Sequence, residues 1–221
     1  LTSIRGIFDL LRAGSYGKIS DEAQAKIDLA DGNTSRLLQM VNKLLDLEKL
    51  DAGLVELSRS RFAMHELYES ALPMVAALAA AVDVVIVTDE SELEAWGDAD
   101  LFGQVLVNLL GNAVRYSPPG TTVRVSAAQR DGGIVMSVED EGPGVPPADQ
   151  TQIFERFKQS NARRDKGKGF GLGLSICKAI VVQHGEQIGV ESDGKHGSRF
   201  WFSLPKAASG SRLPAPSESR D

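Results

Sequence analysis

Two asparagines and an arginine follow one another at helical spacing, at positions Asn108, Asn112 and Arg115. Residues three or four apart project from the same face of a helix. Amide oxygens suit Mg²⁺, which takes few protein ligands beside the phosphates of a substrate. Arg115 falls on that side and can reach a phosphate, and Tyr116 can lie against a base. Taken alone, the segment also fits a plain polar helix face near a C-terminus.

A second chemically suggestive segment is Asp140-Glu-Gly142-Pro-Gly144, which ends an alternating apolar pattern typical of a strand. A carboxylate there can accept a hydrogen bond from an exocyclic amine, which selects adenine over guanine. The two glycines let the backbone approach a ring without interference from Cβ atoms. In isolation the segment is equally well an ordinary strand-to-loop turn.

A third segment is rich in glycine, Gly169-Phe-Gly171-Leu-Gly173-Leu174, and it opens a predicted helix. The N–H groups and the dipole at a helix N-terminus attract phosphate. The preceding segment, residues 158–168, is polar, basic and almost free of apolar side chains, which predicts a flexible lid over the phosphates. A solvated loop with no ligand is the alternative. In this order, the three segments predict a nucleotide pocket.

Composition limits what else the chain can do. The 221 residues carry a net charge of −6 without a long basic block, so we expect no nucleic-acid partner. A single cysteine excludes an internal disulfide and a Cys-rich zinc site and favours the cytoplasm. No apolar run reaches the ~18 residues of a membrane span, and no signal peptide is evident. Because residue 1 is Leu, we expect an excised fragment whose parent can be an inner-membrane sensor.

Residues 1–53 read as a helical hairpin. Apolar and small residues recur at heptad spacing over roughly three heptads of the second helix: Ile27, Ala30, Thr34, Leu37, Val41 and Leu44. Two helices cannot bury such a seam alone, so a dimeric four-helix bundle is predicted. Packing of the seam on the chain's own second domain is the alternative. We therefore expect a homodimer through residues 1–53.

Residues 54–205 alternate strands and helices, and the grouped, hairpin-linked strands favour a mixed α/β sandwich over a doubly wound sheet. The overall class is therefore α+β, and residues 206–221, rich in Ser, Pro and Ala, are predicted to be a disordered tail. The predicted strands are 54–57, 84–87, 123–129, 134–139, 187–192 and 199–204, and the predicted helices are 64–81, 98–113, 153–157 and 171–184.

The ordered motifs resemble the N box and the two glycine boxes of bacterial two-component sensor histidine kinases. Ile153-Phe-Glu-Arg-Phe157 resembles the family's phenylalanine box, and Gly197-Ser-Arg-Phe200 its final strand. The resemblance covers nearly the whole chain. It implies the end of a dimerisation and phosphoacceptor hairpin, followed by the catalytic α/β sandwich shared with DNA gyrase, Hsp-type chaperones and mismatch-repair ATPases.

The resemblance also implies an ATP site with magnesium on Asn112 and Asn108 beside it. Arg115 would contact phosphate, Tyr116 would stack near adenine, and Asp140 would bind the adenine amino group. The remaining implied ATP-binding residues line the base or support the phosphates: Gly142, Gly144, Lys168, Gly169, Gly171, Leu172, Gly173 and Leu174. Lys168 stands where many relatives carry another glycine.

ATPase branches of the fold carry Glu where this chain has Asn108, and Asn cannot act as a base. We therefore expect slow hydrolysis and γ-phosphoryl transfer to a histidine, and then to an aspartate of a response-regulator receiver domain. The acceptor motif would lie just before Leu1, so no catalytic residue is assigned within the chain. His65 precedes a Glu but lacks the rest of that motif, and His184 is expected to be a cap or packing residue. The alternatives are an ATP-driven switch and a dimeric ATP-binding scaffold without kinase activity.

Overall fold

The structure is a computed structural model that describes residues 2–17, 19–158 and 170–207. The chain divides into two compact units, Leu1–Ala52 and Gly53–Asp221. Within the described residues, no helix combines the length and the apolar character needed to cross a lipid bilayer.

The first unit is a hairpin of two helices, α1 (Thr2–Arg12) and α2 (Asp21–Asp51). The Arg12 guanidinium joins them, because it donates to the carboxylates of Asp28 at 2.9 Å and Asp31 at 3.0 Å. Both helices agree with the sequence prediction. Seven large apolar side chains on these helices nevertheless stay between 40% and 62% exposed: Ile4, Ile7, Leu10, Leu29, Leu37, Val41 and Leu45.

The second unit alternates strands and helices. Its elements in chain order are β1 (Ser60–Ala63), α3 (Met64–Ala81), β2 (Val85–Thr88), β3 (Glu94–Gly97), α4 (Ala99–Tyr116), β4 (Thr122–Arg130), β5 (Gly133–Asp140), a short 3₁₀ turn (Gln152–Phe154), α5 (Gly173–Gln183), β6 (Ile188–Glu191) and β7 (Ser198–Leu204).

Five of these strands form one sheet in the order β2-β4-β5-β7-β6. The β2–β4 pair is parallel and the other pairs are antiparallel. On β5 and β7 the inward positions alternate, and the register places Met136 opposite Phe202 and Val138 opposite Phe200. These four side chains are at most 2% exposed. Burying each contributes about 1.5–3 kcal/mol, which fixes the register of the central strands.

The helices of the second unit cover the inner face of this sheet. Helix α4 contacts α3, α5 and β5, so it lies in the middle of the helical layer. Its buried stripe follows helical spacing and includes Phe102, Val105, Leu106 and Leu109, each at most 1% exposed. The layered α/β sandwich predicted from the sequence is confirmed.

The two-stranded sheet of β1 and β3 differs from the sequence prediction. The strand predicted at 54–57 is wrong, because this segment has no strand partner. Its backbone binds side chains instead: the Val55 carbonyl accepts from Gln183 Nε2 at 2.8 Å, and the Ser58 N–H donates to Asp98 Oδ2 at 2.9 Å. The strand β3 was missed because its four residues include only two apolar side chains.

Candidate functional site

Helix α4 presents one half-buried polar stripe beside its apolar one. The Asp98 carboxylate caps the helix by accepting from the Leu101 N–H at 3.1 Å. Asn108, Asn112 and Arg115 then follow at steps of four and three, and each is half-buried. The helix therefore aligns these three side chains, as the spacing predicted.

The stripe meets the start of α5 at Asn108. The Asn108 side-chain N–H donates to the Gln104 carbonyl at 3.0 Å. A Cβ atom added at Gly173 would lie 3.4 Å from Asn108 Oδ1. The amide oxygen of Asn108 therefore faces the first turn of α5, where unpaired backbone N–H groups gather. We call Asn108 and Gly173 the amide–glycine cluster.

Asp140 occupies the inward position at the end of β5, because it continues the alternation of Met136 and Val138. It is 7% exposed, and its Oδ1 accepts from the Gly142 N–H at 2.8 Å. A Cβ at Gly142 would stand 2.7 Å from that Oδ1 and 3.0 Å from the Tyr116 carbonyl oxygen. Only glycine fits there. Asp140, Gly142 and Tyr116, which we call the carboxylate cluster, therefore lie together at the C-terminal end of α4.

The loop after Asp140 is held by residues that no local motif identifies. The Ser192 hydroxyl accepts from the Val145 N–H at 2.9 Å and donates to the Gly197 carbonyl at 2.7 Å. Gln150 Nε2 donates to the carbonyls of Val145 at 3.0 Å and Ser192 at 2.8 Å. Gly144 has a φ of +77°, and a Cβ there would meet the Ser192 hydroxyl at 2.8 Å. Ser192 and Gln150 thus fix the shape of the loop.

The glycine segment before α5 is anchored at Gly171. Its φ is +69°, and a Cβ there would lie 2.8 Å from the Phe157 carbonyl carbon. The Phe157 N–H donates to the Gly171 carbonyl at 2.9 Å. This hydrogen bond brings together the two ends of residues 158–170. Leu172 is 1% exposed and acts as a core anchor, while Gly173 and Leu174 are half-buried.

The structure therefore gathers five of the predicted residues into two clusters, each with one member on α4. Asn112 and Arg115 lie between the two clusters along α4. Gly144, in the loop after β5, packs against the turn between β6 and β7. The predicted residues Lys168 and Gly169, and the predicted lid apart from its first residue, lie outside the described residues. Sequence reasoning missed Ser192 and Gln150, whose contacts join positions 42 and 47 residues apart.

Comparison with known families agrees with this geometry. The family described as histidine kinase-, DNA gyrase B-, and HSP90-like ATPase matches residues 97–208. The phospho-acceptor domain family His Kinase A matches residues 1–53. The first match covers both clusters and the second covers the helical hairpin. The class of the protein is thus a phospho-acceptor-type hairpin followed by an ATPase-type sandwich.

Individual relatives narrow that class. The histidine protein kinase DivJ of Caulobacter vibrioides is 31% identical over 207 residues, 93% of this chain and 35% of DivJ. The sensor protein SrrB of Staphylococcus aureus is 30% identical over 84% of this chain and 32% of its own length. A crystal structure of full-length ShkA in complex with AMPPNP superposes with a TM-score of 0.79 at 28% identity, covering 96% of this chain and 45% of that one.

The chain belongs to the sensor histidine kinase family. It spans about a third of the length of the curated relatives that it matches. The resemblance stated from the motifs is thereby confirmed at the level of the family and of the fold.

Proposed function

We propose that this chain is the catalytic core of a sensor histidine kinase that binds Mg-ATP and transfers its γ-phosphoryl group to a histidine, and then to a receiver-domain aspartate. One observation carries the proposal: the carboxylate cluster and the amide–glycine cluster each have one member on helix α4. Their α4 members, Tyr116 and Asn108, are eight residues apart, or about 12 Å along the axis. This separation provides for a ligand with a base at one end and phosphates at the other.

The carboxylate cluster fits the adenine. Asp140 is buried and its Oδ1 accepts from the Gly142 N–H, so this place in the fold holds a carboxylate, a group that can accept from an exocyclic amine. A carboxylate accepts and does not donate, so it favours the amino group of adenine over the carbonyl of guanine. Gly142 keeps the backbone thin at this point, and Tyr116 supplies a ring at the end of α4.

The amide–glycine cluster and Asn112 fit a magnesium–phosphate group. The Asn108 amide donates to Gln104, which leaves its oxygen directed at the start of α5. Asn112 presents a second amide oxygen one turn later, and Asn112 is the residue that would hold the ion. Mg²⁺ bound there would neutralise phosphate charge beside the helix N-terminus. Arg115, Gly171, Gly173 and Leu174 complete the phosphate side, with Leu172 as their anchor.

The chemistry of position 108 supports transfer over hydrolysis. Asn108 cannot take a proton from water, so the chain lacks a general base at this point of the α4 stripe. In transfer, an imidazole nitrogen bonds to the γ-phosphorus, the bond from phosphorus to the ADP oxygen breaks, and the imidazole proton leaves to solvent. We expect ATP hydrolysis in the absence of the acceptor to be very slow.

The acceptor histidine is proposed to lie before Leu1, in the motif that the hairpin continues. His65 is exposed on α3 in the second unit. His184 is buried with both ring nitrogens engaged. The His196 ring lies 2.8 Å from the Asp193 carboxylate. Hydrogen bonds from His196 lower the pKa of Asp193. These surroundings suit structural roles for the histidines of the described chain.

The proposed partners follow from the hairpin. Residues 1–53 would pair with a second copy, and the receiver domain of a response regulator would dock on the resulting bundle. Because ATP is the substrate, we place this core in the cytoplasm.

Calorimetric titration with Mg-AMPPNP tests the proposal. The wild-type chain should bind, and Asn112→Ala should abolish the magnesium-dependent part of the binding. Asn42→Ala, which changes an exposed asparagine on α2, is the matched control and should bind like the wild type. The proposal fails if the folded wild-type chain gives no binding heat, or if Asn112→Ala retains wild-type affinity.

A further inference from the structure

His184 is a buried side chain at the C-terminal end of α5, and it is 7% exposed. Its Nδ1 lies 2.8 Å from the Ile180 carbonyl oxygen, and its Nε2 accepts from the Asp98 N–H at 3.2 Å. Only the neutral ring with its proton on Nδ1 satisfies both contacts, because a protonated ring has no acceptor. The structure therefore defines both the charge and the tautomer of this histidine.

The partner of His184 is the residue at which α4 begins. Asp98 is 8% exposed, and its two carboxylate oxygens accept from the Leu101 N–H at 3.1 Å and the Ser58 N–H at 2.9 Å. Its own N–H donates to His184. Every one of these groups of Asp98 is thus engaged, and the bond to His184 is the one that reaches α5.

The two helices run in opposite directions and touch at three levels. His184 meets Asp98 at one end, and at the middle Cys177 Sγ lies 3.8 Å from the Val105 carbonyl oxygen. At the other end the amide–glycine cluster joins Asn108 to Gly173. Moving ten residues along α4 from Asp98 to Asn108 corresponds to moving eleven residues back along α5. The contact at His184 therefore sets the same register that brings Asn108 to the glycine loop.

We propose that His184 is a positioning residue for the nucleotide site, acting as a neutral hydrogen-bond acceptor that fixes the register of α4 against α5. Helices are stiff, so a slip at Asp98 is carried to Asn108 and Asn112. Without the acceptor, the Asp98 N–H would be buried and unsatisfied, and relaxing this by a shift of α4 would move its amide oxygens away from Gly173. This inference rests on the proposed function for what the site binds.

The test compares two substitutions of His184 on the full chain. His184→Phe keeps a ring against Phe102, whose centroid lies 4.3 Å from the imidazole, but it has no acceptor. His184→Gln offers a side-chain oxygen to the Asp98 N–H. Ile134→Val, which removes one buried methylene near the start of β5, is the control for a mild loss of stability.

Affinity for Mg-AMPPNP at neutral pH is the first measurement. His184→Phe should bind about three- to tenfold more weakly than the wild type, as expected for one neutral hydrogen bond. His184→Gln should recover part of that loss, and Ile134→Val should bind like the wild type. Wild-type affinity in folded His184→Phe, or an equal loss in Ile134→Val, would overturn the proposal.

The pH dependence separates positioning from packing. Burial lowers the pKa of His184, Arg59 lowers it further, and the Ile180 carbonyl, Asp98 and Glu186 raise it. Below this pKa the wild type also loses its acceptor, so the affinity ratio of wild type to His184→Phe should approach one in acid. Taking the ratio cancels the titration of the nucleotide itself. A ratio that stays constant between pH 7.5 and the acid limit of folding argues against the proposal.

A readout without nucleotide separates this inference from the proposed function. Cys177 is the chain's one cysteine and is fully buried between the two helices. His184→Phe should increase the rate at which a thiol reagent modifies Cys177 under native conditions, whereas Ile134→Val should change it far less. If Cys177 is modified faster in His184→Phe but the wild type binds no nucleotide, only the proposed function is contradicted. If Cys177 is modified at the same rate in His184→Phe and the wild type binds nucleotide normally, only the role of His184 is contradicted.

Discussion

At the scale of single residues, the sharpest prediction concerns Asp140, whose carboxylate is proposed to select the base. Asp140→Asn keeps the side-chain shape, and its amide oxygen can still accept from the Gly142 N–H. The amide then presents N–H to the base, which repels an adenine amino group and suits a guanine carbonyl. We expect ATP affinity to fall roughly ten- to hundredfold, as for loss of a charged hydrogen bond, and the preference of ATP over GTP to shrink.

Competition binding with ATP and GTP measures this preference. Glu141→Gln is the matched control, because it removes the same charge from the neighbouring exposed side chain, whose carboxylate accepts from the Thr122 N–H. If Asp140→Asn leaves the ratio of ATP affinity to GTP affinity unchanged, this carboxylate does not recognise the base.

The same residue shows what a sequence can provide at this scale. The position of Asp140 follows from strand alternation, because it is two residues beyond Val138 on a strand with one buried face. Ser192 and Gln150, which shape the loop beside it, could not be predicted. Their partners are distant in sequence, and a serine or a glutamine has many equivalent uses on a surface.

At the scale of elements, crowding distinguishes glycines that share a left-handed backbone. Gly171 and Gly132 have φ of +69° and +84°, but a Cβ would meet Phe157 backbone atoms at Gly171 and nothing within 4 Å at Gly132. Gly132→Ala should therefore cost about 1–2 kcal/mol of unfolding free energy. Gly171→Ala should cost at least about 1 kcal/mol more, since backbone must move. Equal losses of unfolding free energy in the two variants, measured by urea unfolding, would show that the close contact between Phe157 and Gly171 does not constrain position 171.

The hydrogen bond between Asp98 and His184, which links α4 to α5, also predicts how the stability of the second unit changes in acid. Because burial lowers the folded-state pKa of His184 below its ordinary value, the unfolded chain binds more protons in the interval between the two pKa values. The stability from the neutral ring is complete above about pH 6.5 and is lost as pH falls from there through the folded-state pKa. Urea unfolding between pH 7.5 and 5.5 should show a smaller decline for His184→Phe than for the wild type.

Prediction of the elements succeeded where local signals agree. Helix α4 has a capping Asp98 and a continuous apolar stripe, and β4 and β5 flank an Asp131-Gly-Gly turn. The apolar spacing of Leu54, Val55 and Leu57 resembles that of a strand. The segment nevertheless forms no strand and Leu54 is 74% exposed, because tertiary contacts of the backbone decide the path of this segment. His184 was predicted to be a cap or a packing residue, and it is the C-cap of α5. Its hydrogen bond across 86 positions to Asp98 was not predicted.

At the scale of the whole molecule, the two units divide the work: the hairpin offers an apolar surface and the sandwich holds the candidate site. The boundary after Ala52 lies where the sequence places Gly53 as a helix stop. Exposed apolar side chains spread along both helices of the hairpin are costly for an isolated chain. They are the reason to expect association through residues 1–53.

Sedimentation in solution tests that expectation. Leu37 and Val41 are neighbours on one face of α2, 49% and 40% exposed. Replacing both with Lys places like charges in the proposed seam, so the particle should fall from twice the chain mass to 23.7 kDa. Replacing Val85 and Val87 with Lys, at positions 58% and 41% exposed on the edge strand β2, adds the same charge and should leave the mass unchanged.

Affinity for Mg-AMPPNP per chain should stay constant in both double variants, because the clusters that form the site lie within one second unit. A wild-type chain that sediments as a monomer at high concentration would refute the association, and a dimer that survives the two lysines in α2 but not those in β2 would place the contact elsewhere.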